Sequence, residues 1–224
     1  MIVTIDGPAG SGKSTAARRL ARQLGIAYLD TGATYRAVTL AALREGVDLA
    51  DEEALARLAA GLDVELVPDR DALRVLLAGQ DVSAEIRSAE VTDNAHYLAR
   101  AAKVRSVLAD LQRRIARRLI ARAGGVVTEG RDQGSVVFPD ADVKFYLDAS
   151  AEVRARRRHE EMTAAGRDVT YESIYQAIAT RDRRDRSRPV APLVKPPGCV
   201  EIDTTDMTIE QMTAALAEAV RART

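Results

Sequence analysis

The sequence predicts an α/β fold, a parallel sheet with helices on both faces that also carries a small inserted antiparallel sheet. Three observations predict it. A short apolar, β-branched run, Met1-Ile2-Val3-Thr4-Ile5, leads into Gly7-Pro8-Ala9-Gly10-Ser11-Gly12-Lys13-Ser14, which matches G-x-x-x-x-G-K-[ST]. Along the rest of the chain short apolar runs alternate with longer segments of helical spacing, the pattern of strands joined by crossover helices. Between residues 63 and 82 the texture changes to short strand-like runs separated by turn residues, as in an antiparallel meander.

The elements follow in order. After the glycine loop, Ser14 to Leu24 is helical, with Ala16, Ala17, Leu20, Ala21 and Leu24 on one face and Gly25 as the stop. Ala27-Tyr28-Leu29-Asp30 is a second strand. Thr31 opens a helix to about Glu45, closed by Gly46. A third helix covers Asp51 to Ala60, its first turn acidic as the helix dipole favours. Asp63 to Val67, Leu73 to Leu77 and the residues around Asp81-Val82 form the meander, with turns at Asp69-Arg70-Asp71 and Ala78-Gly79-Gln80. Helical spacing runs from about Glu90 to Arg122, with a break near Ala101-Ala102, and Gly124-Gly125 ends it. Val126 to Glu129 and Val143 to Leu147 are core strands. Ala151 to about Met162 is helical, Thr163 to Thr170 is a mobile connection containing Gly166, and Tyr171 to Arg188 is helical until Pro189 stops it. Val200-Glu201-Ile202 is the last strand. Thr208 and Gln211 have the spacing of a capping box for the last helix.

The glycine loop carries the first chemistry. Its glycines let backbone N–H groups converge on phosphate oxygens, and the helix that starts there adds its positive end. Lys13 is placed to reach the β- and γ-phosphates of a nucleotide, and the Ser14 hydroxyl to ligate Mg²⁺. ATP or GTP binding follows.

The totals narrow the partners. Acidic and basic residues number 33 each, so no bulk field draws nucleic acid or membrane. All but four of the basic residues are arginines, so a single arginine is by default a surface residue and needs context to earn a role. One cysteine, Cys199, excludes an intrachain disulfide and fits a reducing cytoplasm. The N-terminal strand does not read as a signal peptide, no apolar run is long enough for a membrane span, and His96 and His159 form no metal-ligand pattern.

Three further clusters stand out. Asp30-Thr31-Gly32-Ala33-Thr34-Tyr35-Arg36 lies at a strand end, where such sheets bind ligands; it reads either as a helix cap with a surface arginine or as an anion contact. Glu129-Gly130-Arg131-Asp132-Gln133-Gly134 also follows a strand, and a mere turn has no need of Arg131. In Arg181 to Arg188, positions 181, 185 and 188 share a helical face, two arginines around a carboxylate; a salt-bridged solvated helix is the competing reading. Arg154, Arg157 and Arg158 share another face, with no interleaved aromatics to stack on bases.

Taken together, these segments resemble the bacterial cytidylate kinases over nearly the whole chain. The resemblance is carried by Ile5-Asp6-Gly7-Pro8 with the loop, by Leu29-Asp30-Thr31-Gly32-Ala33 with Tyr35-Arg36, by Glu129 to Gly134 with Val137-Phe138-Pro139, and by Arg181-Asp182 through Arg188-Pro189-Val190-Ala191-Pro192-Leu193. Three departures are Thr31, where the family usually has serine, His96, where it often has a small hydroxyl residue, and Glu129, where an aspartate is also common. The resemblance implies a P-loop kinase core over about 1–62, 101–158 and 189–224. It also implies an insertion over about 63–100 that binds the nucleoside monophosphate, and a lid at about 159–170 followed by the helix 171–188.

The implied reaction is phosphoryl transfer from ATP to CMP or dCMP, with Mg²⁺, by a monomer that needs no protein partner. ATP would be held by Gly7, Pro8, Ala9, Gly10, Ser11, Gly12, Lys13, Ser14 and Thr15, with Arg154 and Arg157 as lid arginines. Arg36, Arg131 and Arg188 would clamp the CMP phosphate with Arg181 nearby, and Asp185 would hold the ribose. Thr31, Arg105 and Asp132 would contact cytosine, whose amino donor and ring acceptors suit a carboxylate and a cation. Lys13, Arg131 and Arg188 would act on the moving phosphoryl group. Another small-molecule P-loop kinase is the nearest alternative. A GTPase switch would need an [NT]-K-x-D run, which none of the lysines has, and a nucleic-acid-dependent ATPase a basic tract, which the neutral total gives little reason to expect.

Overall fold

A computed structural model of the chain describes residues 1–69 and 72–223. Five parallel strands form the main sheet in the order β2-β6-β1-β7-β8: β1 (Ile2–Asp6), β2 (Ala27–Asp30), β6 (Val126–Gly130), β7 (Val143–Asp148) and β8 (Val200–Asp203). β1 lies at the centre, pairing Ile5 with Glu129 of β6 and with Phe145 of β7. Parallel strands need crossover connections, and the chain supplies helices between them in α1 (Lys13–Leu24), α2 (Thr31–Arg44), α5 (Ala102–Ala123), α6 (Ala151–Ala164) and α7 (Tyr171–Ser187), while α8 (Ile209–Arg221) follows the last strand and packs back on the sheet. Each face of the sheet buries its own core. On one, Val3, Ile5, Val127, Phe145 and Leu147 pack against Leu20 of α1 and Met212 and Leu216 of α8. On the other, Leu29 and Val126 pack against Val38 of α2 and Leu108 and Ile115 of α5.

The expected meander is a three-stranded antiparallel sheet, β3 (Val64–Asp69), β4 (Ala72–Leu77) and β5 (Gln80–Asp81). Leu66, Val75 and Leu77 share one buried cluster with α2, α5 and α3 (Glu52–Gly61). The turn expected at Asp69-Arg70-Asp71 lies outside the described residues at its centre. The break near Ala101 separates α4 (Ala89–Arg100) from α5, because Ala101 is extended at φ −78°, ψ 110°.

α6 runs to Ala164, two residues past its expected end, which leaves 165–170 as the connection to α7. α6 and α7 close on a small cluster of their own, Ala155, Ile174 and Ile178, so this hairpin is held together apart from the main core. α7 stops at Ser187; Arg188 is already non-helical. Two elements carried no sequence signal: a 3-10 turn at Glu85–Arg87 and a π-helical turn at Gln133–Val137. Among the described residues no helix is long and apolar enough to cross a membrane.

Candidate active site

All five strands of the main sheet end on one edge, and the predicted site residues hang from those ends. The glycine loop follows β1, Thr31 follows β2, and Arg131 and Asp132 follow β6. Arg154 lies in the helix after β7, and Thr204 follows β8. The sheet order therefore divides the crevice. β2 and β6 bring Thr31, Arg36, Arg131 and Asp132 to one side of the loop, while β7 and β8 bring Arg154 and Arg157 to the other.

The loop is packed from below. Gly7 (φ +150°) runs so close to β7 that a Cβ there would sit 2.0 Å from the carbonyl oxygen of Leu147. Gly10 (φ +79°) lies against α6, where a Cβ would come within 3.0 Å of the Arg154 Cβ. Gly7→Ala is expected to destabilise the protein by about 3–5 kcal/mol, lowering Tm by roughly 10 °C. A Tm unchanged to within about 2 °C in a thermal melt would contradict this packing.

Lys13 is buried, and its Nζ donates to the Pro8 carbonyl at 2.6 Å. Burial, then the nearby charge of Arg131, brings its ammonium down to about 7, with Glu129 pulling the other way. Ser14 Oγ donates to Glu129 Oε1 at 2.7 Å, setting a hydroxyl beside a carboxylate at the mouth of the loop.

On the acceptor side, Arg131 and Arg188 face one carboxylate. Arg131 Nε donates to Asp185 at 2.9 Å, and Arg188 Nη1 stands 3.8 Å from it. Burial alone would raise Asp185, but the charges of Arg131, Arg181 and Arg188 outweigh it and hold the carboxyl below its usual range. Arg181 is exposed to solvent, yet the charge of Arg131, followed by desolvation, lowers it to about 10. Arg36 belongs to the same field and is held by Asp30 at 2.7 Å. Several guanidinium nitrogens here, Arg36 Nε, Arg105 Nε, and Arg188 Nε and Nη2, are buried with no hydrogen-bond partner among the described residues. A buried donor left unmade is costly, and this many around one crevice make it a ready anion site.

Arg105 and Asp132 form a buried ion pair through Arg105 Nη2 and Asp132 Oδ2. The Arg105 guanidinium lies over the Tyr35 ring at 5.5 Å, and Nη1 donates to the Ala99 carbonyl at 3.0 Å. Thr31 is buried close by, but its hydroxyl proton is committed to the Glu129 carbonyl at 2.7 Å. His96 Nδ1 lies 2.6 Å from the carbonyl oxygen of Asp93.

The helical face that Arg154, Arg157 and Arg158 were expected to share is divided. Arg154 is buried under the loop rather than set in the lid connection. It donates to the carbonyls of Ala149 and Ala9 and pairs with Asp182 at 2.7 Å. Arg157 donates to Thr204 Oγ1 at 3.2 Å and to the Met207 carbonyl at 3.2 Å, past the end of β8. Arg158 pairs with Glu161 on the surface.

Three residues of the site stood in the segments quoted from the sequence but were given no role there. Glu129 meets Ser14 across 115 positions, and Asp182 meets Arg154. Asp6 ends β1, fully buried, and accepts the backbone N–H groups of Gln133 and Gly134 at 2.8 and 2.7 Å. Burial raises its carboxyl to about 7 against the lowering effect of those bonds. An acid closing an apolar strand was the one available signal.

A family model described as cytidylate kinase matches residues 3–222. A protein named cytidylate kinase from Exiguobacterium sibiricum is 46% identical over 216 residues, covering 96% of this chain and 95% of the relative. One of the same name from Bacillus subtilis is 45% identical over 218 residues, covering 97% and 95%. A crystal structure from Thermus thermophilus, 21% identical, covers 100% of this chain and 98% of that one with a TM-score of 0.51, a likeness of fold.

Proposed function

The chain belongs to the cytidylate kinase family, and on that premise we propose how its own residues serve the reaction. The enzyme transfers a phosphoryl group from ATP to CMP or dCMP, giving ADP and CDP or dCDP. The bond between the γ-phosphorus and the β–γ bridging oxygen breaks, and a phosphate oxygen of CMP takes the phosphorus. That oxygen is already an anion, so no general base is required. The protein's work is alignment and charge neutralisation.

The observation that carries the assignment of roles is the set of buried, unpartnered guanidinium nitrogens of Arg36 and Arg188 beside Arg131. They supply donors to the CMP phosphate, and Arg181 adds its charge from the lid side. Asp185 orders Arg131 and Arg188 and offers acceptors to the ribose. Lys13 turns from the Pro8 carbonyl to the phosphates of ATP, which the loop from Gly7 to Thr15 surrounds. Arg154 supports that loop from beneath, and Arg157 borders the nucleotide with the segment after β8. Closure of the α6–α7 hairpin excludes water, so that transfer wins over hydrolysis.

Ser14 and Glu129 fit Mg²⁺: a hydroxyl and a carboxylate, both hard oxygen donors, already lie 2.7 Å apart at the mouth of the loop. When bound, the ion neutralises charge on the β- and γ-phosphates. The single Cys199 fits the reducing cytoplasm.

Base choice rests on Asp132. A carboxylate only accepts hydrogen bonds, the N4 amine of cytosine donates one, and uracil presents a lone pair at that position. Asp132→Ala is expected to cut kcat/KM for CMP and to shrink the CMP:UMP ratio by about tenfold or more. Measuring kcat/KM for both substrates in both proteins decides it. An unchanged ratio would mean that Asp132 serves only to hold Arg105.

A further inference from the structure

Arg131 and Asp132 occupy two consecutive positions, and the proposed roles require both to be placed at once, one for the phosphate and one for the base. The backbone that carries them has unusual support. The next residues, Gln133 and Gly134, open the π-helical turn, and their N–H groups have no partner inside it. Asp6 takes both, one on each oxygen, at 2.8 and 2.7 Å. Its own backbone is locked at the centre of the sheet, Asp6 opposite Gly130 of β6 and Tyr146 of β7, and the next residue begins the phosphate loop.

From the other side the Gln133 side chain is gripped just as firmly. Thr128 Oγ1 donates to Gln133 Oε1 at 2.8 Å, Gln133 Nε2 donates to Gln112 Oε1 at 3.3 Å, and Gln112 Nε2 donates to Thr34 Oγ1 at 3.0 Å. Thr34 then donates to the Thr31 carbonyl at 2.7 Å. Asp6, Gln133, Gln112, Thr34 and Thr31 are all buried. A continuous polar chain thus joins the strand before the phosphate loop to the helix that carries Thr31 and Arg36.

We propose that Asp6 is a positioning residue, whose carboxylate fixes the Arg131–Asp132 turn against the phosphate loop so that acceptor phosphate and cytosine are held in register with ATP. This rests on the roles given above to Arg131 and Asp132. A buried carboxylate is an expensive way to cap a turn. It is also the side chain of this size that accepts two N–H groups at once. Asparagine accepts one and turns its own amide donors toward the other.

The test is steady-state kinetics of Asp6→Asn with CMP, UMP and ATP varied separately. The expected result is a fall in kcat/KM for CMP of about 10²-fold, the scale of a 1 Å misplacement, with a reduced CMP:UMP ratio and a KM for ATP changed by less than about threefold. Asp6→Glu keeps the charge and both oxygens but displaces them by one methylene. It covers the case in which Asp6→Asn does not fold, and it is expected to raise KM for CMP about tenfold by the same misplacement. In a double-mutant cycle, Asp6→Asn should cost far less in kcat/KM for CMP when Asp132 is already alanine. A CMP:UMP ratio and KM for CMP unchanged in the folded variants would overturn the proposal, as would equal losses toward ATP and CMP. If Asp132→Ala alone shifts the ratio while the Asp6 variants do not, the reading of the base site stands and only the role of Asp6 fails.

Discussion

Replacing Lys13 with alanine is expected to lower kcat by about 10³-fold while the protein stays folded. The two halves of that expectation have separate causes. In the transfer, charge on the β- and γ-phosphates needs a cation at the loop, and Lys13 is the basic residue of the first turn of α1. In the fold, Lys13 is a buried ammonium whose charge is disfavoured by burial and by Arg131. Among the described residues its side-chain hydrogen bonds run to the Pro8 carbonyl and, at 3.4 Å, to Ser11 Oγ. Removing it relieves repulsion and costs about one charge-assisted hydrogen bond, about 1.5–3 kcal/mol. A coupled ADP-release assay and a thermal melt measure both. Activity near wild type would sink the assignment of this loop as the ATP site, and a collapsed melt would show that Lys13 holds the fold instead.

Arg131→Ala is expected to be as severe and different in kind. Its guanidinium lies beside Asp185 and Lys13, between the sites proposed for the acceptor and donor phosphates, and arginines placed against a moving phosphoryl group are worth about 10³–10⁵-fold in rate. The loss should fall on CMP and UMP alike, because both present the same phosphate. Arg131→Lys should recover little, since an ammonium has no planar fork to grip Asp185 and phosphate together. Kinetics with both substrates test this. A CMP:UMP ratio that moves in Arg131→Ala would mean that Arg131 reads the base, and efficient rescue by lysine would mean that only its charge counts.

Local chemistry was legible in the sequence, and chemistry made by distant chain segments was not. Gly7 to Ser14 announced the phosphate loop because the motif, the strand before it and the helix after it are contiguous. The capping box at Thr208 and Gln211 is present in the structure for the same reason, as is the break at Ala101. The charge run at 181–188 was ambiguous, since helical spacing alone does not separate a solvated face from a site. Burial resolves it: Asp182 and Asp185 lie inside, paired with Arg154 and Arg131, while Arg183 and Arg184 face solvent. Glu129 beside Ser14, and Asp6 beneath Gln133 and Gly134, join residues more than a hundred positions apart. No periodicity reports such pairs. The π-helical turn depends on one of them, since its first two N–H groups are satisfied from β1.

The most direct measurement of how this site works is a crystal structure of the protein with CMP bound. The expected result places phosphate oxygens within hydrogen-bond distance of Arg36, Arg131 and Arg188, using Arg36 Nε and Arg188 Nε and Nη2, which have no hydrogen-bond partner among the described residues. It also places the cytosine amine on Asp132, with Arg105 beside the ring. A CMP phosphate bound elsewhere, with those guanidinium nitrogens still unpaired and the base away from Asp132, would contradict it.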